Sequence, residues 1–137
     1  MKQTLTTGEV AQRAGVNVET VRYYERNGML PEPTRRASGY RDYSHDAVLT
    51  IQFIKRAQRL GFSLREIREL LKLRLDPNED CSLMKQHASQ KLEDVQKKIA
   101  DLRAMETVLK ELIERCPGEG PLANCNILEF LNGENPK

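Results

Sequence analysis

Thr6-Thr7-Gly8-Glu9-Val10-Ala11-Gln12-Arg13-Ala14-Gly15-Val16-Asn17-Val18-Glu19-Thr20-Val21-Arg22-Tyr23-Tyr24-Glu25-Arg26-Asn27-Gly28 decides the fold. Thr6 or Thr7 caps a short helix whose apolar positions, Val10, Ala11 and Ala14, share one face. Gly15 stops that helix, Val16-Asn17 makes the turn, and Asn17 caps a second helix from Val18 to Arg26 with Gly28 just beyond it. Two short helices joined by a tight glycine turn make a helix-turn-helix. The second helix is crowded with Thr20, Arg22, Tyr23, Tyr24 and Arg26. Such side chains suit a helix laid in the major groove, reaching bases and phosphates. At least one of Val21 and Tyr24 is expected to pack inward instead.

Outward from this unit, Pro31-Glu32-Pro33 blocks helix, and Arg35-Arg36-Ala37-Ser38-Gly39-Tyr40-Arg41-Asp42-Tyr43 reads as a small hairpin or wing. Arg35, Tyr40 and Arg41 are its candidate DNA contacts, with Arg22 and Tyr23 on the helix; Arg36 and Lys55 read as solvated charges. Ser44 caps a helix running to about Leu60 with Val48, Ile51, Phe53, Ile54 and Ala57 as its apolar set. Ser63-Leu64-Arg65-Glu66 is a capping box opening another, to about Leu75.

Residues 76–81 read as a linker, and Leu75–Asp80 as a candidate hinge. From Ser82 to about Arg115 the pattern is helical, with Leu92, Val95, Ile99 and Leu102 in coiled-coil steps that resume at Met105, Leu109 and Leu112 after one phase slip. One amphipathic helix of this length cannot bury its own stripe, and no other segment is long enough to cover it. Homodimerisation is therefore expected. Cys116-Pro117-Gly118-Glu119-Gly120-Pro121 ends the helix, and Asn126 to Leu131 has room for one or two further turns. The expected organisation is 1–75 DNA-binding, 76–81 linker, 82–115 dimerisation helix and 116–137 a loop with a short helix, in a mainly all-α fold.

Charge divides the same way. Residues 1–75 hold 14 Lys and Arg against 8 Asp and Glu, a net +6; residues 76–137 hold 8 against 12, a net −4. The front half can attract phosphate and the back half cannot. No apolar run is long enough to span a membrane and Met1-Lys2-Gln3-Thr4 carries no signal-peptide core, so a cytoplasmic protein without a membrane partner is expected. There is no Walker-type loop, no GxGxxG and no Ser/His/Asp set that the chain can assemble, which argues against an enzyme.

Three cysteines, Cys81, Cys116 and Cys125, remain. They cannot all pair within one chain, and thiolates are soft ligands for thiophilic metals. A straight helix rises 1.5 Å per residue, so Cys81 and Cys116 in one chain lie roughly 50 Å apart. If two copies pair antiparallel, Cys81 of one meets Cys116 and Cys125 of the other. His87 lies near Cys81 in sequence but six residues on, a poorly matched helical face; His45 reads as a surface residue. Two other readings stay open: a thiol-redox regulator using Cys116 and Cys125 as a reversible disulfide, and a structural DNA-binding dimer.

Thr7-Gly8-Glu9-Val10-Ala11, Val21-Arg22-Tyr23-Tyr24-Glu25, Gly39-Tyr40-Arg41-Asp42-Tyr43 and Leu60-Gly61-Phe62-Ser63-Leu64-Arg65-Glu66-Ile67 resemble, in that order, the signature of MerR-family transcriptional regulators. The resemblance implies a winged helix-turn-helix homodimer joined by an antiparallel coiled coil, with Arg22 and Tyr23 on the recognition helix and Arg35, Tyr40 and Arg41 in the wing. It also implies a promoter whose −35 and −10 elements are spaced too far apart. Effector binding then bends and untwists the DNA so that RNA polymerase engages both. Copper(I) sensors of the family resemble this loop but carry Ser where Cys81 stands. Zinc sensors carry a Cys pair where this chain has Cys116-Pro117, and a loop His. The three cysteines are most similar to those of mercury sensors, which implies Hg(II) held by Cys81, Cys116 and Cys125 as effector of a resistance operon. Pb(II) and Cd(II) are the alternatives, with Zn(II) behind them.

Overall fold

The computed structural model describes residues 4–30, 34–35 and 41–133, and of Thr34, Arg35 and Arg41 the backbone alone. In order these residues form α1 (Thr7–Ala14), α2 (Val18–Arg26), β1 (Thr34–Arg35), β2 (Arg41–Asp42), α3 (His45–Arg59), α4 (Leu64–Arg74), α5 (Cys81–Arg115), a 3-10 turn (Leu122–Asn124) and α6 (Asn126–Leu131). The chain forms two compact units, Met1–Lys91 and Leu92–Lys137.

The first unit is built by its caps and one shared core. Thr6 caps α1 in a reciprocal box with Glu9, and Ser63 caps α4 in the same way with Glu66. Each box satisfies two of the amide N–H groups that a helix start leaves unbonded, contributing on the order of 1 kcal/mol. Ser44 precedes α3 without a side-chain capping bond. The apolar faces converge: Val10, Ala11 and Ala14 from α1, Val21 and Tyr24 from α2, Val48, Ile51, Ile54 and Ala57 from α3, and Ile67 and Leu70 from α4 are all buried. Phe53, expected in the same set, packs against this core while partly exposed. Each large side chain so buried contributes roughly 1.5–3 kcal/mol relative to exposure. At its far end Arg74 ties α4 to α3, donating to Thr50 Oγ1 at 3.0 Å and pairing with Asp46 at 3.4 Å, with its guanidinium over the Phe53 ring.

The expected wing is a two-residue antiparallel ladder, Thr34 opposite Asp42 and Arg35 opposite Arg41. Immediately after β2, Tyr43 pairs with Leu5 in a further bridge.

The start of α5 also belongs to the first unit, with Met84 against its core. Helix α5 begins at Cys81 itself, one residue earlier than the sequence pattern indicates. Lys91, a charged residue of this amphipathic helix, is buried. It is 8% exposed, its ammonium 2.8 Å from Glu66 Oε1 and 5.5 Å from the centre of the Phe62 ring. The Lys91 bond and the Ser63 amide together hold the Glu66 carboxyl at a pKa of about 2.

In the second unit α5 runs uninterrupted to Arg115, and its apolar stripe faces outward: Leu92, Ile99, Leu102, Met105 and Leu109 are all exposed in the single chain. Val95 and Leu112 are half-buried. Among the described residues, no helix is long and apolar enough to cross a membrane.

Candidate functional site

The helix-turn-helix geometry starts at Gly15. Its φ of +74° is the left-handed conformation that ends α1 and turns the chain, a conformation that disfavours any side chain. The turn is held from outside by Lys55 of α3, whose ammonium donates to the carbonyls of Ala14 at 3.2 Å and Gly15 at 3.3 Å. Lys55 is thus a clamp on the turn and not the freely solvated charge that its place on a polar face implied. After the turn, Asn17 Oδ1 accepts from both the amide and the hydroxyl of Thr20 at 2.8 Å, fixing the first turn of α2.

On α2 the division of faces is complete. Val21 and Tyr24 both point inward, where one was required. The Tyr24 hydroxyl donates to Gln58 of α3 at 3.3 Å, and burial, followed by the neighbouring Tyr23, raises its pKa. Arg22 and Tyr23 are exposed on the other side, Tyr23 edge-on to Tyr24 at 5.9 Å. Arg22 lies 3.3 Å from Glu19, a pair about half to three-quarters exposed and therefore weak in water. Arg35 and Arg41 stand opposite one another across the wing ladder, and Tyr40 lies outside the described residues. Between helix and wing runs a contact that the sequence did not announce: the Tyr43 hydroxyl donates to Glu25 Oε2 at 2.7 Å.

The cysteines fall in both units. Cys81 is exposed at the first residue of α5, while Cys116 and Cys125 are half-buried. A single acceptor ties Cys116 to Asn126, the residue after Cys125. The Leu112 carbonyl takes the Cys116 amide at 3.2 Å and the Asn126 side-chain amide at 3.1 Å. Those two donors therefore lie within 6.3 Å of each other, and the loop between them closes on the last turn of α5. Asn126 Oδ1 is buried beside Cys125 with no hydrogen-bond partner. Thiols as a residue type suit a thiophilic ion, and Cys116 and Cys125 bracket this loop. Among the described residues, no group of three His, Cys, Asp or Glu side chains within the chain is placed to hold a metal ion.

Known proteins resemble this chain over most of its length. Residues 5–73 match the MerR HTH family regulatory protein pattern, and residues 48–112 match the MerR, DNA binding pattern. A mercuric resistance operon regulatory protein of Serratia marcescens is 46% identical over 132 residues, 96% of this chain and 90% of that protein. The crystal structure of a dual-function transcriptional regulator from Bacillus megaterium MB1 in complex with mercury(II) is similar with a TM-score of 0.71 at 42% identity, covering 93% of this chain and 99% of that one. A transcription regulator of Ralstonia metallidurans CH34 in complex with lead(II) gives a TM-score of 0.84 at 34% identity, covering 93% and 98%.

Proposed function

The chain belongs to the MerR family of helix-turn-helix regulatory proteins, and from that premise we propose that it is a Hg(II)-responsive activator and repressor of a mercury-resistance operon. As a metal-responsive transcriptional regulator it binds DNA and is not an enzyme. In the proposed assembly two copies pair antiparallel through the exposed stripe of α5. Cys81 of one protomer joins Cys116 and Cys125 of its partner in a three-thiolate site. The observation that carries this reading is the closed neck at Leu112, where one carbonyl holds the backbone of Cys116 and the Asn126 side chain together and leaves two thiols at one end of α5. Cys81, at the other end of the same helix, supplies the third only from a second copy.

When bound, the ion supplies differential free energy between two states of the dimer. Distorting a promoter costs a few kcal/mol, and metal binding shifts the equilibrium only by as much as it favours the distorting state. Arg22 and Tyr23 on α2, with Arg35, Tyr40 and Arg41 in the wing, hold the promoter while RNA polymerase engages it. Phosphate contacts of this kind fix register, and base-edge contacts from α2 give sequence.

Lead(II) is the second reading, favoured by the TM-score of 0.84 to the lead-bound regulator. Sequence weighs the other way, with 42% identity to the mercury-bound regulator against 34% to the lead-bound one. The test is titration of the dimer with Hg(II) in excess competing thiol, followed by the sulfur-to-metal absorption band. A three-sulfur signature that disappears in Cys81→Ser supports the reading; promoter activation by Hg(II) retained in Cys81→Ser refutes it. A reporter panel across Hg(II), Pb(II), Cd(II) and Zn(II) ranks the metals.

A further inference from the structure

The wing is a ladder of two residues on each strand. An isolated two-stranded hairpin is marginal in water, so its own pairing cannot set the direction in which it projects. The base of the ladder is held by Tyr43. The Tyr43 amide and carbonyl are both bonded to Leu5, at 2.8 and 2.7 Å. Its ring is buried, 2% exposed, and its hydroxyl reaches α2 to donate to Glu25 at 2.7 Å. A short O–H···O bond to a carboxylate is roughly twice as strong as a neutral one. Glu25 sits three residues after Arg22 on the same helix and is half-buried, whereas Arg22, Tyr23 and Glu19 are exposed. Its carboxylate is turned to the Tyr43 hydroxyl.

We propose that the Tyr43–Glu25 hydrogen bond is a positioning device that sets the angle between the wing and the recognition helix, so that one rigid unit delivers both to the operator. The proposal rests on the reading of α2 and the wing as the DNA-contacting elements. Tyr43 and Glu25 act through the residues they orient and need touch no base. Without the hydroxyl, the ring still fills the core and the Leu5 bridge still forms. The bond from the base of the ladder to α2 is lost, and with it the fixed placement that phosphate contacts need.

The experiment uses the full-length dimer and an operator selected by the wild-type protein from a random duplex library. Tyr43→Phe is expected to weaken operator binding by about 5- to 20-fold and to make the salt dependence shallower by about two, one phosphate from each of two wings. Phosphate-ethylation interference should vanish at the flanking positions and persist at those read by α2. Glu25→Gln, whose amide oxygen still accepts the hydroxyl proton, should keep the wild-type interference pattern, and Glu25→Leu should lose it at the same flanks. A Tyr43→Phe dimer with wild-type salt slope and interference overturns the proposal. So does a loss spread evenly over all positions with a lowered unfolding midpoint, which is what a merely structural role produces. Absence of any flanking interference in the wild type overturns the wing reading itself, and this proposal with it.

Discussion

Replacing Lys91 by Met removes one charge from the contact between α4 and the start of α5 and keeps most of the apolar stem. The ammonium lies 2.8 Å from Glu66 Oε1 and over the Phe62 ring, with the lysine side chain 10% exposed and the glutamate 34%. Removing one partner of a fully buried pair costs about 3–5 kcal/mol, and an exposed pair is worth about 1 kcal/mol or less. Here the carboxylate left behind regains water through its exposed third and keeps the Ser63 amide, while the cation–π contact of roughly 1 kcal/mol is lost as well. The expected destabilisation is about 2 kcal/mol, a fall in urea midpoint of about 1 M for a slope near 2 kcal/mol/M. Both dimers must be compared at one protein concentration. The pH dependence has a definite sign. Glu66 is held at about 2 in the folded chain against 4.5 ordinarily, so its contribution is complete above pH 4.5 and is lost as pH falls through about 2. The gap between wild type and Lys91→Met should therefore be widest near neutrality and narrow between pH 4.5 and 3. A gap under 0.5 kcal/mol at pH 7 (about a quarter of that expected), or one constant from pH 7 to 3, would refute the assignment of stability to this pair.

Other substitutions test single links. Gly15→Ala forces a side chain into φ +74° with its Cβ 3.3 Å from the Lys55 ammonium, and should cost about 1–2 kcal/mol of thermal stability together with operator affinity. Arg22→Ala should weaken operator binding by about 1–3 kcal/mol with an unchanged melting temperature, since the side chain is about half exposed and its pair with Glu19 is exposed too. Asn126→Ala opens the neck at Leu112 while sparing all three thiols. Hg(II) should then be stripped at about ten-fold lower competing thiol, as when a supporting residue behind a metal ligand is lost. Equal retention in wild type and variant would show that the neck does not organise the ligands.

The helix-turn-helix was legible because each step of it is local: Thr6, Gly15 and Asn17 act on amides within a few residues of themselves, and the 3.6-residue period of Val10, Ala14, Val21 and Tyr24 marks the core side. The two capping boxes were equally plain. What the sequence hid are contacts between residues far apart in the chain. Lys55 reaches Ala14 across 41 positions, Tyr43 reaches Glu25 across 18 and Lys91 reaches Glu66 across 25, and in each case the cation or phenol sits in a stretch whose composition reads as solvent-facing or simply apolar. Periodicity reports which side of a helix is dry; it carries no information about which distant carboxylate or carbonyl a long side chain will find. At the thiol site, the residue types and spacing pointed to soft-metal chemistry. The Leu112 neck that ties Cys116 to Asn126 was invisible, because Asn126 reads in sequence only as the start of a short helix.

The shared site is the central claim, and mixed dimers test it most directly. Cys81→Ser homodimers and Cys116→Ser/Cys125→Ser homodimers should each lack the three-sulfur Hg(II) signature. Refolded together, they form mixed dimers in which one end pairs the intact Cys81 of one protomer with the intact Cys116 and Cys125 of the other. The account predicts that the three-sulfur signature and Hg(II)-dependent activation return in the mixture, at no more than one ion per mixed dimer. A mixture as inactive as its parents, or a Cys81→Ser homodimer that binds and responds like the wild type, would contradict it.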